Sequence, residues 1–100
     1  MKTVNVLGKI KPEEAEICNI LLEECAETIQ AVSKVFRFGW ASCHPDKPNY
    51  TNKEHLTEEL GDLVCMIKIL CDKGIISMED ISRYAEFKQN KLKIYSDIKL

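Results

Sequence analysis

Four of the sixteen acidic side chains in this sequence stand where a carboxylate is hard to keep charged. On a helical wheel advancing about 100° per residue, Glu24 falls inside an apolar arc of Ile17, Leu21, Cys25, Val32 and Val35. Glu27 falls at the edge of that arc, beside Ile20. Further on, Glu59 falls between Met66 and Leu70, and Asp62 between Ile69 and Met66. Burying an ionised carboxylate costs several kcal/mol unless a cation or hydrogen bonds compensate it. Each segment therefore projects an i, i+3 acid pair from one helix face, Glu24 with Glu27 and Glu59 with Asp62. One such pair is commonplace on a solvated face, but two pairs within apolar arcs point to a shared ligand. Antiparallel packing of the two helices would bring four carboxylates to one spot. A hard divalent cation with oxygen ligands suits that cluster, and Mg²⁺ is the usual occupant where phosphates share the site.

The elements that must position these acids are legible from their ends. Pro12 sits at a first helical position with Glu13, Glu14 and Glu16 in the opening turn, the favoured chemistry of a helix start. The helical pattern continues to about Arg37, and Gly39 supplies a stop. A second helix is expected from about 53 to 73, closed by Gly74, and a third from about 78 to 95. Ser77 with Asp80 resembles a capping box for the third. Between the first two lies a loop, 38–52, with two of the three prolines, Trp40 and Tyr50, long enough to serve as a lid. Residues 1–11 read as a lead-in in which Val4, Val6 and Leu7 form a short strand or cover a core edge.

Composition limits the function classes. One hundred residues, 45% of them apolar, suit one domain, and only four Gly and three Pro favour a few long helices. A net charge of −2 argues against nucleic acid as the main partner. No apolar run approaches a membrane span, and Met1–Lys11 lacks a signal-peptide core, so a cytoplasmic protein is expected. The five cysteines are odd in number and lack C-x-x-C spacing, which suits reduced thiols packed as small hydrophobes. Cys43 next to His44 is the one candidate for cysteine chemistry, with no second pair to complete a zinc site. The di-iron pattern of Glu-x-x-His pairs and the G-x-x-x-x-G-K-[ST] loop are both missing, as is a Nudix motif.

Three segments together resemble the MazG-like nucleoside triphosphate pyrophosphohydrolases: LLEECAETIQAVSK (Leu21–Lys34), RFG (Arg37–Gly39) and LTEELGDLVCMIKIL (Leu56–Leu70). The family signature is E-E-x-x-E followed by E-x-x-D, here Glu23, Glu24, Glu27 and then Glu59, Asp62. The resemblance implies an all-α antiparallel helical bundle and a Mg²⁺-dependent hydrolase, with Mn²⁺ able to substitute. Such an enzyme cleaves the α–β phosphate bond of a nucleoside triphosphate to a monophosphate and pyrophosphate. It assigns the metal to Glu24, Glu27, Glu59 and Asp62, and makes Glu23 a catalytic acid that orients or deprotonates water. Small stand-alone members of phage origin are similar in form, which would put the protein in the host cytoplasm.

Phosphate or base contacts are expected from Lys34 and Arg37 at the end of the first helix and from Trp40 in the loop. Lys88, Asn90 and Lys91 resemble the family's Lys/Asn-rich stretch after the E-x-x-D helix. Residues 28–58 separate the two acid pairs, at or beyond the usual upper spacing, and the chain is short for a four-helix core. The second helix reads as apolar nearly all round, so a homodimer or homotetramer is expected to complete the bundle. Two other functions fit part of the pattern: a phosphoribosyl-ATP pyrophosphohydrolase of the same architecture, and a non-catalytic helical interaction module whose acids pair with lysines.

Overall fold

In the computed structural model the described residues are 9–100, and they form three helices: α1 (Pro12–Phe38), α2 (Asn52–Asp72) and α3 (Met78–Tyr95). The strand considered around Val4–Leu7 lies outside the described residues. No helix among the described residues is long and apolar enough to cross a membrane. Contacts gather the chain into two compact units, one ending at Ile67 and the other comprising Lys68–Leu100.

Local chemistry sets the ends of each helix. Pro12 opens α1, and the Glu14 carboxylate accepts a hydrogen bond from the Lys11 N–H at 3.0 Å. Gly39 closes it at φ 87°, where a side chain would be strained, and donates its N–H to the Val35 carbonyl at 2.8 Å. Thr51 and Glu54 cap α2 reciprocally. The Thr51 hydroxyl accepts from the Glu54 N–H at 3.1 Å, and the Glu54 carboxylate accepts from the Thr51 N–H at 3.4 Å. Ser77 caps α3 by accepting from the Asp80 N–H at 3.3 Å.

In the first unit α1 and the part of α2 up to Ile67 form an antiparallel hairpin. The end of α1 is tied to the start of α2: Lys53 N–H donates to the Trp40 carbonyl at 3.0 Å, and the buried Asn52 side chain donates to the Gly39 carbonyl at 2.9 Å. The intervening loop is built from turns. Asn52 N–H donates to the Ser42 carbonyl, Lys47 N–H to that of His44 and Tyr50 N–H to that of Lys47, and Cys43 bridges Thr51.

The buried side of each helix follows a 3–4 alternation, the period of a knobs-into-holes seam. On α1 it runs Ile17, Leu21, Glu24, Thr28, Ala31, Val35, with Ala15, Ile17 and Ala31 buried and the others half-buried or edging the seam. On α2 it runs Asn52, Leu56, Glu59, Leu63, Met66, Leu70, of which Asn52, Glu59, Met66 and Leu70 are buried. The expected apolar arcs are therefore corrected in detail. Cys25 and Val32 of α1 face solvent, and α2 exposes Leu60, Val64 and Cys65 instead of being covered on nearly every side. Cys18, Cys25 and Cys65 are exposed free thiols, not core fillers. Within the second unit α3 has no buried residue, and only Ile81, Leu92 and the capping Ser96 just beyond it are half-buried along its length.

Candidate metal centre and the adjoining cleft

The buried seams of α1 and α2 each place a glutamate at their third position, and the hairpin makes these positions meet. Ligand oxygens of Glu24, Glu27, Glu59 and Asp62 all lie within 4.8 Å of one another. Glu27 acts most strongly on Glu59, and the charge of Asp62 bears on Glu24, the cross-pairing of an antiparallel arrangement. The i, i+3 spacing makes this possible, because it puts both acids of a helix over the same strip of surface.

Without a cation the four carboxylates oppose one another. Glu59, only 7% exposed, has its pKa pushed up to about 7, first by the hydrogen bond with Glu27, then by burial, then by the Glu27, Asp62 and Glu24 charges. Glu24 is raised by desolvation first and then by Glu27, Asp62 and Glu23. Among the described residues no Lys or Arg forms an ion pair with any of the four, and the nearest base is His55, whose Nε2 lies 4.0 Å from Glu59 Oε1.

Two observations show that this cluster fits a hard divalent cation. Glu24 Oε2 and Glu59 Oε2 are both buried with no hydrogen-bond partner. The Thr28 hydroxyl, which could have reached Glu24, donates to its backbone carbonyl at 2.7 Å instead. Orphaned buried acceptors cost about 1–3 kcal/mol each, more when charged, and a cation held by these oxygens would relieve both at once. The donor set is also all carboxylate oxygen, and the mutual span of 4.8 Å matches ligands about 2.0–2.6 Å from a central Mg²⁺ or Ca²⁺.

A cleft of about 770 Å³ opens beside this cluster and shares Glu59 with it. Lys34 of α1, the loop residues Cys43–Lys47, Tyr50, and His55 of α2 line it. The Tyr50 and His55 rings stand 5.8 Å apart at 45°, and the Tyr50 hydroxyl donates to Glu58. That hydrogen bond, followed by burial, pushes the Tyr50 pKa up to about 12, so the phenol stays protonated.

The remaining expected site residues separate into groups. Glu23 is exposed beside Glu24 in the chain, and its charge bears on Glu24. Lys34 is a wall of the cleft, whereas Arg37 and Trp40 are not. Arg37 stacks over the Phe38 ring at 4.9 Å, and Trp40 is 55% exposed with its carbonyl engaged by Lys53. Lys88, Asn90 and Lys91 are exposed on α3 in the second unit. Tyr50 and His55 escaped the sequence reading, although the Thr51-x-x-Glu54 cap just between them was a signal that this stretch is anchored.

Comparison with curated proteins and with solved structures gives no match. A family model does match: that of the MazG nucleotide pyrophosphohydrolase domain, over residues 13–91, a span that contains all four clustered acids, α1 but for Pro12, the loop, α2 and most of α3. The chain, whose described residues form three helices and no strand, belongs to the MazG nucleotide pyrophosphohydrolase domain family.

Proposed function

We propose that the protein is a Mg²⁺-dependent nucleoside triphosphate pyrophosphohydrolase that cleaves the α–β bond of an NTP or dNTP. The observation that carries this reading is the cluster of four carboxylates within 4.8 Å, two with orphaned buried oxygens, in a chain of the MazG family. Glu24, Glu27, Glu59 and Asp62 would hold the cation. A cation held there would neutralise phosphate charge and lower the pKa of a bound water. The chain's own residues do the rest. Glu23 accepts the proton of the attacking water. The water oxygen bonds to phosphorus as the bridging P–O bond breaks, and pyrophosphate leaves with that electron pair. Lys34, on the cleft wall, offsets the charge of the phosphates. The five free cysteines suit a reducing cytoplasm, where the nucleotide pool is found.

The test is an incubation with the common NTPs and dNTPs, and with phosphoribosyl-ATP, in Mg²⁺ or Mn²⁺, reading pyrophosphate and monophosphate. Pyrophosphate release that disappears with chelator supports the proposal. No release from any substrate would mark a non-catalytic helical module.

We further propose a homo-oligomer built on α1. Cys18, Leu22, Cys25, Ile29, Val32 and Phe36 make a second 3–4 seam on that helix, and all six are exposed, Leu22 at 68%, Ile29 at 69% and Phe36 at 86%. The flanking positions Asn19, Ala26 and Ser33 on one side, and Leu21, Thr28 and Val35 on the other, carry no charge. A second copy of the same helix therefore meets no like-charge repulsion, whereas a charged partner would find nothing to pair with. Sedimentation equilibrium at micromolar concentration checks this, and the mass of one chain there would overturn it.

A further inference from the structure

We infer that the cleft beside the carboxylate cluster is the nucleoside subsite, and that the Tyr50–His55 ring pair is the surface on which the substrate's base stacks. The inference rests on the proposed pyrophosphohydrolase reading and adds to it the residues that hold the substrate's base.

The cleft has the size and the walls for this task. Its volume of about 770 Å³ lies within the range of about 300–1,000 Å³ usual for small-molecule sites. It meets the carboxylate cluster at Glu59, so a ligand that fills it ends with its charged tail at the cation-binding oxygens. Three rings line it, those of Phe38, Tyr50 and His55, and the last two stand 5.8 Å apart. Every nucleobase has a π-face that stacks on such rings without needing a particular hydrogen-bond pattern. Lys34 and Lys47 supply positive charge on the same lining, and Lys47 already sits 5.3 Å above the Tyr50 ring.

The ring pair is also held in place before any ligand arrives. Tyr50 is half-buried and clamped at both ends: its N–H donates to the Lys47 carbonyl at 3.1 Å, and its hydroxyl to Glu58 on α2. His55 is the fourth residue of α2, and its N–H bonds the Thr51 carbonyl at 2.9 Å. A platform fixed in this way loses little conformational entropy when a base settles on it. Trp40, the aromatic expected from the sequence to stack on the base, is not part of the cleft wall.

The experiment titrates the wild-type protein with adenosine, guanosine, cytidine and uridine 5′-monophosphates, and with ribose 5-phosphate, following the ring protons of Tyr50 and His55 by NMR. At least one nucleotide shifts both rings upfield, and ribose 5-phosphate, which has no base to stack, leaves them unmoved. In turnover assays Tyr50→Ala raises KM about tenfold and leaves kcat within about threefold, while Tyr50→Phe, which keeps the ring but loses the Glu58 hydrogen bond, raises KM by less than Tyr50→Ala does. Rings that respond to no nucleotide, or equally to ribose 5-phosphate, overturn the inference, as does an unchanged KM in Tyr50→Ala. Because the NMR titration needs no turnover, ring shifts without pyrophosphate release would sink the hydrolase reading while leaving the nucleoside subsite standing.

Discussion

The inner seam of α1 turns Ile17, Leu21, Glu24, Thr28, Ala31 and Val35 toward the protein. One residue further round, the outer seam leaves Cys18, Leu22, Cys25, Ile29, Val32 and Phe36 in solvent. The contrast inverts the usual partition, for the covered face holds a carboxylate with an orphaned oxygen and the solvated face is oily. Among the described residues no Lys or Arg pairs with the inner carboxylates, and the outer seam is exposed. On the reading proposed above a divalent cation completes the first and a second copy of the chain the second. Because the two faces want different partners, each can be perturbed while the other reports.

The largest effect is expected at the inner face. Glu59→Gln or Asp62→Asn should lower kcat/KM for pyrophosphate release by at least about 100-fold, since each removes a ligand oxygen and its charge. Retained turnover would refute the metal assignment. The oligomer mass of these variants should stay as in the wild type, because the outer seam is untouched.

Next in size is thermal stability. Saturating Mg²⁺ at about 100 times its Kd should stabilise the wild type by about 2.7 kcal/mol, a rise in Tm of about 10 °C or more for a chain of this length. Glu59→Gln should show the opposite split in calorimetry: more stable than wild type in chelator, because a buried like charge is gone, and little changed by Mg²⁺. A wild type indifferent to Mg²⁺ would break the comparison at its first term.

The pH dependence of the metal-free protein has a definite sign. Glu59 holds its proton up to about 7 in the folded state, against 4.5 when unperturbed, so between these values the folded chain binds more protons than the unfolded one. Stability is therefore full below about 4.5 and declines as pH rises through about 7, with the raised Glu24 acting in the same direction. Chemical denaturation in chelator across that window should show the decline, and Mg²⁺ should remove it.

Smaller effects separate the two seams of α1 by packing alone. Ala31 is 0% exposed, so Ala31→Leu should overpack the hairpin and cost about 1–3 kcal/mol of folding stability. Ile29→Glu and Phe36→Ala, on the outer face, should each change folding of the single chain by only about 0.5 kcal/mol. Ile29→Glu should nonetheless shift the sedimentation profile toward one chain, since it puts like charges opposite each other in a paired seam. An Ile29→Glu protein with unchanged mass would show that this seam is not the interface.

The grouping of the acids in the candidate site is legible in the order of residues. Pro12, Gly39 and Ser77 act on their own neighbours within one turn, so their roles are visible in the order of residues. The acid pairs were legible for the same reason, because an i, i+3 spacing is a local fact about one helix. What could not be read was the direction of Cys25 and Val32, or that the aromatic wall of the cleft is Tyr50 and His55 and not Trp40. The loop residues obey no period, and their positions follow from turns and from the Asn52 side chain tying the loop's base to Gly39. Lys88, Asn90 and Lys91 lie in a different compact unit from the carboxylates, which residue types and spacing have no means of indicating.

By itself, the sequence determined three helices, their ends, and which acids lie together on each helix face. These depend on propensity, capping and a 3.6-residue repeat, all of which act within a few residues. Tertiary structure decided that the two acid pairs converge to within 4.8 Å and that a cleft opens against them. It also chose which of two apolar seams on α1 is buried. That choice lies beyond periodicity, because the apolar arc of α1 is wide enough for two seams about 100° apart. Only the partner helix, through the side chains it brings, makes one of them the inside.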